Sequence, residues 1–235
     1  MTAAGGAAAK YPTAILASGS GTNLQAVLDQ ADAGTLPLDV RLVVSNKSDA
    51  YALERARTAD IATLVMTFSA GIESRARYSR ELAAAVKASG AQLVLLLGWM
   101  LVLTPEFLEA GFAGVLNLHP SFLPDEPSAD QVTLPDGSSS RVFRGAHALR
   151  DAIQAGVRTT GATLIEITPA VDRGPVLARR TFELRTGDTV QSALERLHVV
   201  EQDVVRDGVL AWLAKNVVPE RSSGDSSERS SDARR

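Results

Sequence analysis

The chain has 235 residues, 45% of them hydrophobic and 22% charged, values typical of a globular protein that buries one sizeable core. Its 24 Lys and Arg stand against 27 Asp and Glu, and a formal charge of −3 argues against an electrostatic nucleic-acid binder. With no cysteine, disulfides, thiolate zinc sites and a cysteine nucleophile are excluded, and three histidines (His119, His147, His198) leave imidazole chemistry few places to reside.

The opening MTAAGGAAAK has neither the charged start nor the apolar stretch of a secretory signal, and residues 1–10 are expected to form a flexible N-terminus. Thr13 to Ala17 is a short apolar run ending in the glycine cluster SGSGTN, after which Leu24 to Ala33 reads as a helix. Val40 to Ser45 is β-branched and strand-like, Ala50 to Ala59 is helical, and Ile61 to Met66 is a third strand candidate. A long helix is predicted from Glu73 to Ser89, then a strand over Gln92 to Leu97. Next come a short helix over Pro105 to Ala110, opened by Thr104 as N-cap, and a strand over Gly114 to Leu118. Strands alternating with helices predict a Rossmann-like, mainly parallel sheet covered on both faces.

After His119 the rhythm changes. Residues 120–142 hold four prolines and the turn signal Pro135-Asp136-Gly137, which predicts an irregular excursion with a small hairpin. Ala146 to Ala155 reads as a helix. Ala162 to Ile167 and Val176 to Phe182 are too close for a helical crossover, so they are expected to pair antiparallel. A long terminal helix follows from Thr189 to Lys215. Residues 219–235, with six serines, four acids and four arginines, show no apolar periodicity and are expected to be a disordered tail. The most apolar stretch, Leu93 to Leu103, is interrupted by Gly98 and falls short of the roughly 20 residues needed to span a bilayer. No membrane association and a cytoplasmic location are expected.

Three motifs carry chemistry. SGSGTN (Ser18–Asn23) falls where the first strand should hand over to the first helix, where glycines aim free N–H groups and the helix N-terminus favours an anion. It fits neither the dinucleotide fingerprint, whose third glycine would fall at Leu24, nor the phosphate loop of nucleotide triphosphatases. A small phosphate, as on a phosphosugar, suits it, although such turns also serve as plain connectors. Asn117-Leu118-His119-Pro120 lies at the carboxyl end of a predicted strand, where open α/β sheets bind ligands. Alternation places Asn117 and His119 on one side, an amide donor for a developing oxyanion beside an imidazole for proton transfer. A strand-end histidine is also commonly structural. Asp172-Arg173-Gly174-Pro175 reads first as a turn, but its carboxylate could fold back beside an imidazole and favour the charged ring.

Together, and in this order, these motifs make the chain resemble the phosphoribosylglycinamide formyltransferases, folate-dependent enzymes of purine biosynthesis. The similarity runs over residues 12–215 and is carried by SGSGTNLQA, VVSNKSDAYALERA, ESRARYSREL, GWMLVLTPEFL, LNLHPSFLP, TGATLIEI and VDRGP. It implies the formyltransferase fold over residues 11–218, with 11–115 as a phosphosugar-binding half and 116–218 as a catalytic and folate-binding half. It implies transfer of the formyl group from 10-formyltetrahydrofolate, as co-substrate, to the amine of 5'-phosphoribosylglycinamide. Asn117, His119 and Asp172 would be catalytic, with Asp172 keeping His119 charged. Gly21, Thr22, Asn23 and Glu201 would bind the ribotide. Arg75, Met100, Leu101, Val102, Leu103, Asn117, Thr168, Pro169, Ala170, Val171 and Asp172 would line the folate site. No metal is implied, and the partners would be small molecules, with the chain acting as monomer or homodimer. His147 falls near the substrate loop, and His198 reads as a packing or surface residue.

The chain departs from the family pattern in its long 124–142 excursion, in Leu101 where many members carry arginine, in Ile165 where many carry histidine, and in Arg173. Competing readings are a related formyltransferase acting on another amino sugar, and a non-catalytic phosphosugar-binding module. Pure binding would not require the Asn117, His119 and Asp172 trio.

Overall fold

In a computed structural model, which describes residues 9–70 and 74–217, the strand Tyr11–Leu16 (β1) lies inside the sheet, third of seven strands. Its side chains divide by parity: Ile15 enters one hydrophobic cluster, and Ala14 and Leu16 enter another on the opposite face. The strand Leu93–Leu96 (β4) beside it does the same, with Leu93 and Leu95 on one face and Val94 and Leu96 on the other. Both faces are buried, so these strands are continuously apolar rather than alternating.

The helices Thr22–Asp32 (α1) and Tyr51–Thr58 (α2) cover the first face, joined by the last helix, Val190–Asn216 (α6). Arg75–Ala88 (α3) and Pro105–Leu108 (α4) cover the second. The remaining strands are Leu38–Ser45 (β2), Ala62–Val65 (β3), Gly114–His119 (β5), Gln131–Thr133 (β6), Ser139–Arg141 (β7), Thr159–Glu166 (β8) and Val176–Glu183 (β9). A short helix, Ala148–Gln154 (α5), precedes β8. The sheet order is β3-β2-β1-β4-β5-β8-β9, parallel from β3 to β5 and antiparallel from β5 to β9. The predicted mainly parallel, doubly covered sheet with an antiparallel C-terminal pair and long terminal helix is therefore observed.

Some boundaries differ for identifiable reasons. The first helix begins at Thr22, two residues before the predicted start, because Gly21 takes the left-handed conformation (φ 71°) as its N-cap. Thr104 does occupy the N-cap of α4, yet its hydroxyl donates to Glu106 rather than capping the helix. β8 starts at Thr159 and runs through Gly161, where a side chain would meet the Arg180 carbonyl at 2.3 Å. The glycine lets neighbouring backbone approach and does not interrupt the strand. The hairpin expected around Pro135 is present as β6 and β7, closed by a bond from Gly137 N to the Leu134 carbonyl. Residue Glu73, the start of the N-terminal segment and the 219–235 tail lie outside the described residues.

The chain leaves β1 in one direction to β2 and β3, then returns to β4 on the other side of β1. This reversal opens a crevice at the carboxyl ends of β1 and β4, the general ligand position in open α/β sheets.

Candidate active site

The turn after β1 forms one wall of that crevice. A side chain on Gly21 would lie 2.7 Å from Ala52 Cα, so α1 and α2 meet here over a bare backbone. Ala52 N donates to the Gly19 carbonyl, and Arg55 Nε donates to the Ser20 carbonyl. No side chain caps α1. The first amides of a helix have no intrahelical acceptor, so this end is an anion-favouring one. Ser18 ties the turn to the segment after β4: its amide donates to the Gly98 carbonyl, and its Oγ accepts from Met100 N at 3.2 Å.

β5 forms the floor. Asn117 and His119 project from it in the same direction, and the 168–172 loop brings Asp172 over both. Asn117 Nδ2 donates to Asp172 Oδ1 at 3.5 Å, and His119 Nδ1 stands 3.5 Å from Asp172 Oδ2. A carbonyl only accepts, so the 2.9 Å bond between His119 Nε2 and the Phe143 carbonyl places a proton on Nε2. Both ring nitrogens thus face acceptors. Gly145 N donates to Asp172 Oδ2 at 2.7 Å. Asp172 has φ 52°, a left-handed conformation that aspartate adopts more readily than most residues. Two residues on, a Cβ at Gly174 would lie 1.6 Å from the Glu166 carbonyl, so only glycine lets the loop close against β8.

Beside the α1 turn, the wall continues in α6. Glu201 is 4% exposed, and its Oε2 accepts from Asn23 Nδ2 at 2.8 Å. Burial pushes its carboxyl above the ordinary carboxylate range, and the bond from Asn23 partly opposes that shift. Asn23 Oδ1 is buried with no hydrogen-bond partner among the described residues. One turn before Glu201, His198 places Nε2 3.8 Å from the same carboxylate, and burial lowers its affinity for a proton, against the pull of Glu195.

These walls enclose a cleft of about 690 Å³. Gly21, Thr22, Asn23, Glu201, Asn117, His119, Asp172, Met100 to Leu103, Thr168, Pro169 and Val171 all line it. Two of the expected residues do not. Arg75 stacks its guanidinium over Phe68 at 4.1 Å, and Ala170 uses its carbonyl to accept from Arg173 N within the loop. Asn23 lines the cleft, but its side chain is engaged with Glu201, leaving only its backbone amide for a phosphate. His198, read from sequence as packing or surface, also lines the cleft, as does His147. The signal for His198 was available: it sits three residues before Glu201, hence on the same helical face. Phe143 and Gly145, which hold the trio through backbone atoms, carried no side-chain signal.

An anion-favouring helix start with an amide, an imidazole and a carboxylate converging at a strand end is the equipment of a group-transfer site. The chain belongs to the formyl transferase family, which matches it over residues 12–209. It is 34% identical over 200 residues to the phosphoribosylglycinamide formyltransferase of Escherichia coli strain K12, covering 85% of each chain. A crystal structure of glycinamide ribonucleotide transformylase 1 from Symbiobacterium toebii superposes with a TM-score of 0.75 at 34% identity, over 87% of this chain and 89% of that one. The chain is also 31% identical over 192 residues to the trifunctional purine biosynthetic protein adenosine-3 of Gallus gallus, with 82% of this chain matching 17% of that much longer protein.

Proposed function

We propose that this protein transfers a formyl group from 10-formyltetrahydrofolate to the primary amine of 5'-phosphoribosylglycinamide, a step of de novo purine biosynthesis that releases tetrahydrofolate. The observation that carries the reading is the contact of Asp172 with both Asn117 and His119, inside the same cleft as the α1 N-terminus and Glu201.

The cleft suits two small molecules side by side. Its volume falls in the usual range for small-molecule sites, roughly 300–1,000 Å³. Met100, Val102 and Val171 are about half exposed at its rim, apolar surface that a flat ring would remove from water. With Leu101, Leu103 and the Thr168–Asp172 loop, they are the residues to hold the folate donor. When bound, that donor supplies a formyl carbon activated for attack by an amine.

Gly21, Thr22 and the Asn23 amide hold the ribotide phosphate through N–H groups at a helix start. Glu201 and the unpaired Asn23 Oδ1 accept from the N–H groups of the glycinamide end. Both are buried acceptors, and an N–H donor supplies the bond that Asn23 Oδ1 lacks. As the amine attacks, negative charge grows on the formyl oxygen, and Asn117 Nδ2 and the His119 ring stabilise it. Asp172 orients both groups and, with His119, passes a proton from the incoming amine towards the departing folate nitrogen.

The test is an assay with glycinamide ribotide and 10-formyltetrahydrofolate, monitored by release of tetrahydrofolate. Release that depends on the ribotide is expected. No release above the blank, or equal release with water as the only acceptor, would overturn the reading.

A further inference from the structure

The excursion after β5 meets the loop that carries Asp172 at the Pro127 carbonyl, which accepts from Arg173. Phe122, Leu123, Val132, Leu134 and Val142 pack with Ile165 of β8 into a separate small core that carries the β6–β7 hairpin. From the end of this excursion Arg144 reaches back to its beginning. One guanidinium nitrogen, Nη2, donates to the Ala129 carbonyl at 2.8 Å and to the Pro127 carbonyl at 3.2 Å. Its ion pair with Asp130 is long, at 3.5 Å, and that carboxylate is 88% exposed, so the pair contributes little. The carbonyls are what hold Arg144. Arg173, next to the catalytic aspartate, donates to the same Pro127 carbonyl.

The backbone on either side of Arg144 holds the trio. The Phe143 carbonyl belongs to the peptide plane before Arg144 Cα, and it accepts from His119 Nε2. The Gly145 amide belongs to the plane after it, and it donates to Asp172 Oδ2. Peptide units are rigid, so the orientations of both planes hinge on the two dihedrals of this one residue. Fixing the side chain of Arg144 therefore restrains the two groups that set His119 and Asp172 against each other.

We propose that Arg144 is a positioning residue for formyl transfer, with the excursion as its anchor: through Pro127 and Ala129 it sets the Phe143 carbonyl and the Gly145 amide that align His119 with Asp172. The proposal rests on the formyl-transfer reading for its kinetic consequence, but its structural core does not. Arginine suits the task because its planar guanidinium fixes the directions of both Nη2 N–H bonds, whereas lysine offers a flexible point charge.

The experiment compares Arg144→Gln and Arg144→Lys with the full-length protein, by steady-state kinetics and by the ring ¹⁵N signals of the histidines. With Arg144→Gln, kcat is expected to fall about tenfold or more, the range that misplacing catalytic groups by a fraction of an ångström produces. KM for both substrates should stay within about twofold, since Arg144 is absent from the cleft lining. The His119 ring signals should move and those of His198 should not. Arg144→Lys keeps the charge with a smaller change at the backbone, so it should fold even if the glutamine variant does not, and lie between wild type and Arg144→Gln in both readouts. Unmoved His119 signals in the folded variants would overturn the proposal, as would a lower unfolding temperature with kcat retained. The NMR arm needs no turnover, so it decides the positioning role even if the ribotide proves not to be the acceptor.

Discussion

Asn23 and Glu201 are 178 residues apart in sequence and share a 2.8 Å hydrogen bond between buried side chains. The bond joins the first turn of α1, at the proposed phosphate site, to the middle of α6. It closes the wall of the cleft where α1 meets α6.

Removing the amide should therefore act at this wall. Asn23→Ala leaves the Glu201 carboxyl buried without its donor, which costs about 1–3 kcal/mol in unfolding free energy. Ribotide affinity should fall much more than affinity for the folate donor, as read by calorimetry on each ligand separately. Equal losses for both ligands would detach Asn23 from the ribotide site.

The burial of Glu201 also sets a pH dependence of stability. Its folded carboxyl holds a proton more tightly than in the unfolded chain, so between the two values the folded state binds more protons. The stability contribution of this group is greatest below the unfolded value of about 4.3, and it declines as pH rises through the raised folded value. Glu201→Gln has no such slope. In urea unfolding at stepped pH, the stability of the glutamine variant relative to wild type should increase through that window and level off above it. A constant difference would mean that the carboxyl titrates alike in both states.

The role proposed for Asp172 can be tested with little change of shape. Asp172→Asn still offers an oxygen to the Gly145 amide, and asparagine also tolerates the left-handed backbone found there. Turnover should fall about 10²-fold or more, as expected for loss of a general acid–base partner. Ribotide binding should change little, because its proposed contacts lie at α1 and α6. Near-normal turnover of this variant, or of His119→Ala, would remove the pair from the mechanism.

Gly174 limits how the loop that carries Asp172 can close. Gly174→Ala places a methyl 1.6 Å from the Glu166 carbonyl, backbone against backbone, so the loop must lift from β8. A loss of about 3 kcal/mol is expected, at the upper end for overpacking, together with a fall in turnover. Thermal unfolding and the formyl-transfer assay would report the two effects. Wild-type values in both would mean that the loop closes by another route.

Much of the architecture was legible because burial on both faces leaves a mark in composition. Runs such as Ala14–Leu16 and Leu93–Leu96 are apolar without alternation, and they are separated by segments of helical period and by glycine turns. Strand ends could be located to within a few residues, and with them Asn117, His119 and the SGSGTN turn, because ligand sites in such sheets lie at strand ends. Contacts between distant residues could not be read this way. Local pattern does not encode which turn of α6 faces α1, so the Asn23–Glu201 bond appeared only once the helices were packed. The same holds for Arg75, whose position in a family motif predicted the cleft but whose guanidinium rests on Phe68. It holds most for Phe143, Arg144 and Gly145. The groups that hold His119 and Asp172 there are a backbone carbonyl and a backbone amide, which every non-proline residue possesses, and only the fold determines which of them are brought to the site.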